Sequence, residues 1–199
     1  MQQHRFWRQI PRVVILGALT LNISASSFTT SLTGRSACAA PQSHPTQPFT
    51  VTSPDFTEDG ALPLSSAFNR FGCRGQNIAP TLHWTGAPSG TASFALVVTD
   101  YDAPVAGGFH HWIVYNIPGN IDTLNGSSPY TQGANSYGFV GYGGPCPPAT
   151  GQIHHYIFTL YALTAAEIPD QALTYDQLIQ EISGHIAGAT VTIGTFVRC

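Results

Sequence analysis

Apolar residues in this 199-residue chain come in short dense runs set off by glycine and proline, without the three- and four-residue rhythm of helices. Ser93-Phe94-Ala95-Leu96-Val97-Val98-Thr99, Trp112 to Ile117 and Tyr156 to Ala162 are continuous and rich in β-branched and aromatic residues. Their shortness and their flanking glycines and prolines predict central strands. Thr81 to Trp84 predicts a shorter strand, and Thr190 to Val197 a last one. Phe49 opens an extended segment with a turn at Ser53 to Phe56, and Leu62-Pro63-Leu64 reads as a short edge piece. One stretch has helical period. Leu178, Ile179, Ile182 and Ile186 follow Thr174 and Gln177, which can form a capping box, and Gly188 lies just past the predicted end. From Pro118 to Gly141 the chain is polar and aperiodic, with a tight-turn signal at Asn125-Gly126, which predicts a surface loop that carries function. Together these elements predict a mainly β protein, an antiparallel β-sandwich with one or two peripheral helices.

Composition adds limits. Hydrophobic residues make up 43% of the chain, enough for a proper core, and 20 glycines and 15 prolines without a period suit many turns between strands. There is no lysine. Of the seven arginines four lie in the first 35 residues, so Arg70, Arg74 and Arg198 face all ten acidic residues. Such a domain lacks the basic surface that nucleic-acid binding needs.

The first residues read as an address. Arg5, Arg8 and Arg12 precede the apolar run Val13 to Leu21, and small polar residues follow. This is the order of a secretory signal peptide, and the run is too short to span a membrane comfortably. Residues 1–39 are therefore expected to be a leader, 40–48 a proline-rich linker, and 49–199 the folded domain, with no transmembrane segment in the mature chain. Cleavage fits after Ala25 or after Ala39. Cys38 sits like a lipoprotein cysteine, but Arg35 three residues earlier breaks that motif. Export with cleavage after Ala39 leaves Cys73, Cys146 and Cys199 in an oxidising compartment, where Cys73 and Cys146, both in glycine-rich loops, are the candidate disulfide. Zinc ligation is the competing reading, without a C-x-x-C or H-x-x-x-H spacing to support it.

The candidate chemistry lies at strand ends. Asp100 and Asp102 leave the first apolar run, His110-His111 opens the second, and Gly143-Gly144-Pro145-Cys146-Pro147-Pro148 precedes His154-His155 at the third. Each alone has a plain structural reading: a turn, a half-exposed pair, a rigid loop. Their ordered recurrence in a chain with 9% charged residues points to a pocket. Alternation lets Asp100 and Asp102 share a face and sends the members of each histidine pair to opposite faces. The pocket thus holds one histidine of each pair with one or both carboxylates, and parity does not choose between them. A carboxylate beside imidazoles raises their pKa, and protonated imidazoles donate charge-assisted hydrogen bonds to an anion. Backbone N–H groups at Gly143-Gly144 could add an anion-binding nest. Two histidines and a carboxylate could instead hold a metal for a hydrolase, whereas a serine hydrolase finds no G-x-S-x-G. His83 and His185 are read as structural.

In order, Asn77-Ile78-Ala79-Pro80, Thr81-Leu82-His83-Trp84, Asp100-Tyr101-Asp102-Ala103-Pro104, His111-Trp112, Gly143 to Pro148 and His154-His155-Tyr156 resemble the phosphatidylethanolamine-binding protein family, most of all its bacterial Raf kinase inhibitor-like branch. The resemblance runs from about Phe49 to Phe196. It implies a β-sandwich with a small pocket for phosphate, phosphorylethanolamine head groups or similar anions. By position it implies Asp100 as the pocket acid with Asp102 beside it, His111 and His154 as the pocket histidines, and Gly144, Pro145 and Cys146 as the glycine–proline loop. Three departures stand out. Tyr101 replaces a proline and His155 replaces an arginine, which predicts weaker or more pH-dependent anion binding, and Ala149 to Ile153 make a longer spacer. The expected function is that of an exported, non-enzymatic binding protein for a small anionic ligand or lipid head group, with no cofactor and no metal. The alternatives are an inhibitor of a protease or kinase acting through the pocket rim and the Pro118–Gly141 loop, and a metal-assisted hydrolase.

Overall fold

The computed structural model describes residues 47–169 and 171–199. The predicted leader and nearly all of the predicted linker lie outside them. The strands are β1 (Thr50–Thr52), β2 (Gly60–Ala61), β3 (Leu82–Thr85), β4 (Ser93–Asp100), β5 (Phe109–Pro118), β6 (Thr123–Leu124), β7 (Thr131–Gln132), β8 (Ile153–Leu163) and β9 (Ile186–Val197), with helix α1 (Tyr175–Ile182) between the last two. They form a small sheet in the order β1-β3-β6 and a large one in the order β2-β9-β8-β4-β5-β7. Every pairing is antiparallel except that of β2 with β9.

β4 explains the continuous apolar run. All eight of its residues are buried, because both of its faces are covered. Phe94, Leu96 and Val98 pack with Trp84 and Leu82 of β3, Trp112 and Val114 of β5, and Phe158 and Leu160 of β8, forming the core between the sheets. Ala95 and Val97 join Ile113 and Tyr115 in a second core, closed by Leu178 and Ile182 of α1 with Ile168 and Leu173. The helix is therefore a lid on the outer face of the large sheet.

Three expectations about element limits change. The helix stops at Ile182, and Ile186 and Gly188 belong to β9. Ser183-Gly184 ends it, glycine being a poor helix former, and the His185 N–H turns back to the Ile182 carbonyl at 2.8 Å. β9 thus begins earlier than Thr190 and pairs with nearly all of β8. The edge pairing lies at Gly60–Ala61, and Leu62 turns inward to 4% exposure before a short 3-10 turn at Leu64–Ser66. The long polar segment holds β6 and β7 as short edge strands. At Asn125-Gly126 it makes the expected turn, the Ser128 N–H meeting the Asn125 carbonyl at 3.0 Å.

Candidate functional site

Three strand ends meet at one end of the sandwich. Asp100 is the last residue of β4 and pairs across to Tyr156 on β8 and Phe109 on β5. Along β8 burial alternates, so His154 and Tyr156 face inward with Phe158 and Leu160, while His155 faces solvent. On β5 simple alternation would place His111 with Ile113, on the helix side. A β-bulge prevents that. The register steps from Val98 opposite Trp112 to Thr99 opposite His110, leaving His111 as the extra residue. A bulge turns the extra side chain off its alternating direction, and His111 lands beside Tyr156, ring centroids 5.0 Å apart. His110 goes to the other side, bonded to Thr99 at 3.0 Å and stacked on Tyr175 at 3.9 Å.

Asp100, His111 and His154 line a cavity of about 150 Å³, with Phe109, Tyr137, Tyr156, Cys146, Pro147, Pro148 and the loop residues Ala103, Pro104 and Val105. His154 donates from Nδ1 to Asp100 Oδ2 at 2.7 Å, both side chains being about 5% exposed. Asp100 Oδ1 accepts the N–H groups of Asp102 at 2.9 Å and Ala103 at 3.1 Å. Both carboxylate oxygens are thus committed to holding the loop and the imidazole. His111 donates from Nδ1 to the Gly143 carbonyl at 2.6 Å, since a carbonyl can only accept. Burial pushes its pKa down to about 4, against the raising effect of the Gly143 carbonyl and of Asp100. The imidazole is therefore neutral near pH 7 and presents Nε2 as an acceptor. This departs from the expectation that both pocket imidazoles gain protons: desolvation outweighs the carboxylate.

Tyr156 completes the donor set. It is 1% exposed, and its buried hydroxyl makes no hydrogen bond of good geometry, although it lies close enough to Asp100 to feel that carboxylate as a weak hydrogen-bonding neighbour. Burial first, then the charge of Asp100, raises its pKa, so it stays a protonated donor.

Four predicted residues reach the cavity wall: Asp100, His111, His154 and Cys146. Asp102, Gly144 and Pro145 do not. Asp102 points outward, where its Oδ2 accepts both the His155 N–H and His155 Nδ1, each at 2.8 Å. Those two hydrogen bonds lower its pKa. The exposed pair ties the 100–105 loop to the start of β8. The glycine nest is absent too, because the Gly143 N–H meets the His111 carbonyl at 2.8 Å and the Gly144 N–H meets Asn77 Oδ1 at 2.7 Å. Asn77 also donates to the Tyr142 carbonyl at 2.9 Å, so this residue clamps the loop from behind. Gly144 is required there by space: a Cβ would sit 2.0 Å from the Ser66 carbonyl. Pro145 accepts the Phe68 N–H at 2.9 Å. Cys73 and Cys146 are disulfide-bonded, with Cα atoms 5.8 Å apart, and of the two Cys146 lines the cavity. His83 lies exposed on the small sheet, bonded to Thr123 at 2.9 Å, and His185 is exposed after α1.

Sequence reasoning missed Phe109, Tyr137 and Tyr156 as cavity residues. Tyr156 shares the parity of His154, a usable signal. Tyr137, whose hydroxyl donates to the Gly144 carbonyl at 3.0 Å, comes from the aperiodic loop and gives none. Among the described residues no group of three or more His, Cys, Asp or Glu could hold a metal, and no helix is long and apolar enough to cross a membrane.

A family model described as phosphatidylethanolamine-binding protein matches residues 52–197. The YbcL protein of Escherichia coli is 42% identical over 131 residues, which are 61% of this chain and 72% of that protein. LppC of Mycobacterium tuberculosis, named as a candidate lipoprotein, is 43% identical over 154 residues, 75% of this chain and 73% of its own length. The crystal structure of Escherichia coli YbcL, described as a new member of the mammalian PEBP family, matches with a TM-score of 0.72 and 33% identity over 76% of this chain and 99% of that one. A PEBP homologue from Chlamydia trachomatis matches with a TM-score of 0.68 and 31% identity, over 76% and 98%.

Proposed function

Since the chain belongs to the phosphatidylethanolamine-binding protein family, in its bacterial YbhB/YbcL branch, we propose that it is a binding protein for small phosphate-bearing ligands, phosphorylethanolamine-like head groups among them. The observation that carries this reading is the buried Tyr156 hydroxyl, without a hydrogen bond of good geometry, beside the Asp100–His154 pair. An unsatisfied buried donor costs about 1–3 kcal/mol, which a ligand oxygen would recover. Asp100 fixes the His154 ring through Nδ1, which leaves Nε2 as the atom through which His154 would meet a ligand. Neutral His111 supplies the complement, an acceptor for the P–OH of a monoanionic phosphate ester. The cavity of about 150 Å³ is smaller than the roughly 300–1,000 Å³ of drug-sized sites, which favours a head group over a whole lipid.

The reading is one of binding without turnover. Asp100 has both oxygens engaged in holding the loop and the imidazole, which makes it an orienting group in this reading. Export belongs to the same reading. It is supported by the arginine-led apolar start, by the disulfide and by the likeness to LppC. Calorimetry with phosphorylethanolamine tests the function. Saturable one-to-one binding is expected, weakened at least tenfold in Asp100→Asn, since about 1.4 kcal/mol is a factor of ten. Equal affinity in the two proteins contradicts the reading.

A further inference from the structure

The Cys73–Cys146 disulfide stands between two cavities. Cys146 lines the ligand cavity. On the other side Cys73, Arg74, Arg198 and Cys199 line a second cavity of about 400 Å³. Cys199 carries a free, exposed thiol just beyond β9. Arg198 places Nη1 3.8 Å from Cys146 Sγ and 3.4 Å from the Pro147 carbonyl. Among the described residues Arg74 and Arg198 pair with no carboxylate, so two of the folded domain's three arginines keep their charge for this corner.

Thiol–disulfide exchange needs an attacking thiolate with access to one sulfur and a stabilised leaving thiolate at the other. Cys199 and Cys73 share the wall of the second cavity, which puts a free cysteine on the Cys73 side of the disulfide. The Arg198 guanidinium beside Cys146 favours negative charge on that sulfur, as neighbouring cations do for thiolates. Together they give the exchange a direction.

We infer that Cys199 is an internal exchange partner of the disulfide, attacking Cys73 and releasing Cys146 as a thiolate at the wall of the ligand cavity. The Cys199–Cys73 bond forms as the Cys73–Cys146 bond breaks, and its electron pair leaves with Cys146. Cys199 gives up its proton to solvent and Cys146 can regain one, so no oxidant or reductant is consumed. The exchange moves the crosslink from the cavity wall to the end of β9 and leaves a nucleophile facing the ligand. It is read on sulfur atoms alone and does not depend on what the ligand is.

The test is thiol mapping of the full chain. The protein is equilibrated at mildly alkaline pH and low micromolar concentration, quenched with N-ethylmaleimide, digested in acid and analysed by mass spectrometry. The expected result is a minor population with maleimide on Cys146 together with a Cys73–Cys199 linked peptide. Cys199→Ser abolishes both, and Arg198→Gln lowers Cys146 labelling severalfold while leaving Cys199 labelling unchanged. Cys146→Ser, which needs no equilibrium to shift, is expected to carry a Cys73–Cys199 disulfide as purified. Among Cys73, Cys146 and Cys199, maleimide found on Cys199 alone in the unsubstituted protein overturns the inference, as does labelling at Cys73 in place of Cys146. A Cys146→Ser protein in which Cys73 and Cys199 are both free thiols, or with only Cys199–Cys199 dimers, overturns it as well.

Discussion

Tyr156 and His111 carry the two sharpest consequences at the scale of single residues. Removing this buried hydroxyl with Tyr156→Phe relieves an unsatisfied buried group, so the empty protein keeps or gains stability. Binding loses a donor, and affinity for phosphorylethanolamine should fall about five- to tenfold, the worth of roughly 1–1.5 kcal/mol. Calorimetry and urea melts of one variant check both signs, and a loss of stability without a loss of affinity would go against the assignment. His111 governs acid behaviour. Its folded pKa of about 4 lies below the ordinary 6.5, so the unfolded chain binds more protons between those values. Stability contributed by neutral His111 is complete above pH 6.5 and is lost as pH falls toward 4, by about 3 kcal/mol at 1.36 kcal/mol per unit. Urea melts at pH 7 and 4.5 should show about 2 kcal/mol of that drop, and His111→Gln should remove most of it.

At the scale of elements, β5 is the piece that builds the site, and it does so by irregularity. One shift delivers His111; a second, between Phe94 and Leu96 of β4, accompanies Asn116 at φ 57°. Asn116 spans to the chain before α1, donating from Nδ2 to the Ile168 carbonyl at 2.9 Å and accepting the Ile168 N–H at 2.7 Å. Asn116→Ala loses both bonds and leaves alanine at a left-handed φ that it disfavours, and a destabilisation of about 2–3 kcal/mol is expected from melts, with ligand affinity little changed. The central strands were legible because both faces of β4 and the inner face of β8 had to be apolar. The choice of His111 over His110 was not legible from alternation, since a bulge resets parity and follows from pairing between strands rather than from either strand alone. The fates of Asp102 and the Gly143–Gly144 amides were hidden for a related reason: His155 and Asn77, which satisfy them, come from distant segments. The helix limit at Ile182 went unread because Ile186 continues the helical spacing by coincidence while belonging to a strand.

For the whole molecule, the two sheets enclose a core that stops short at one end, where Asp100, His111 and His154 take over from Val98, Trp112 and Phe158. The disulfide bridges residues 73 apart across that end, a constraint worth about 4 kcal/mol in chain-entropy terms. The folded domain presents Arg70, Arg74 and Arg198 against all ten acidic residues, so the pocket must draw an anion by local donors, not by the overall field. That places the weight of the account on the Asp100–His154 pair with its neighbours His111 and Tyr156. Histidine ring resonances followed by heteronuclear NMR during titration with phosphorylethanolamine test it most directly. The account predicts saturable shifts of His154 and His111 with a common midpoint, no such shifts at His83 and His185, and loss of the response in Asp100→Asn. Saturable binding that leaves the His154 ring unmoved would contradict it.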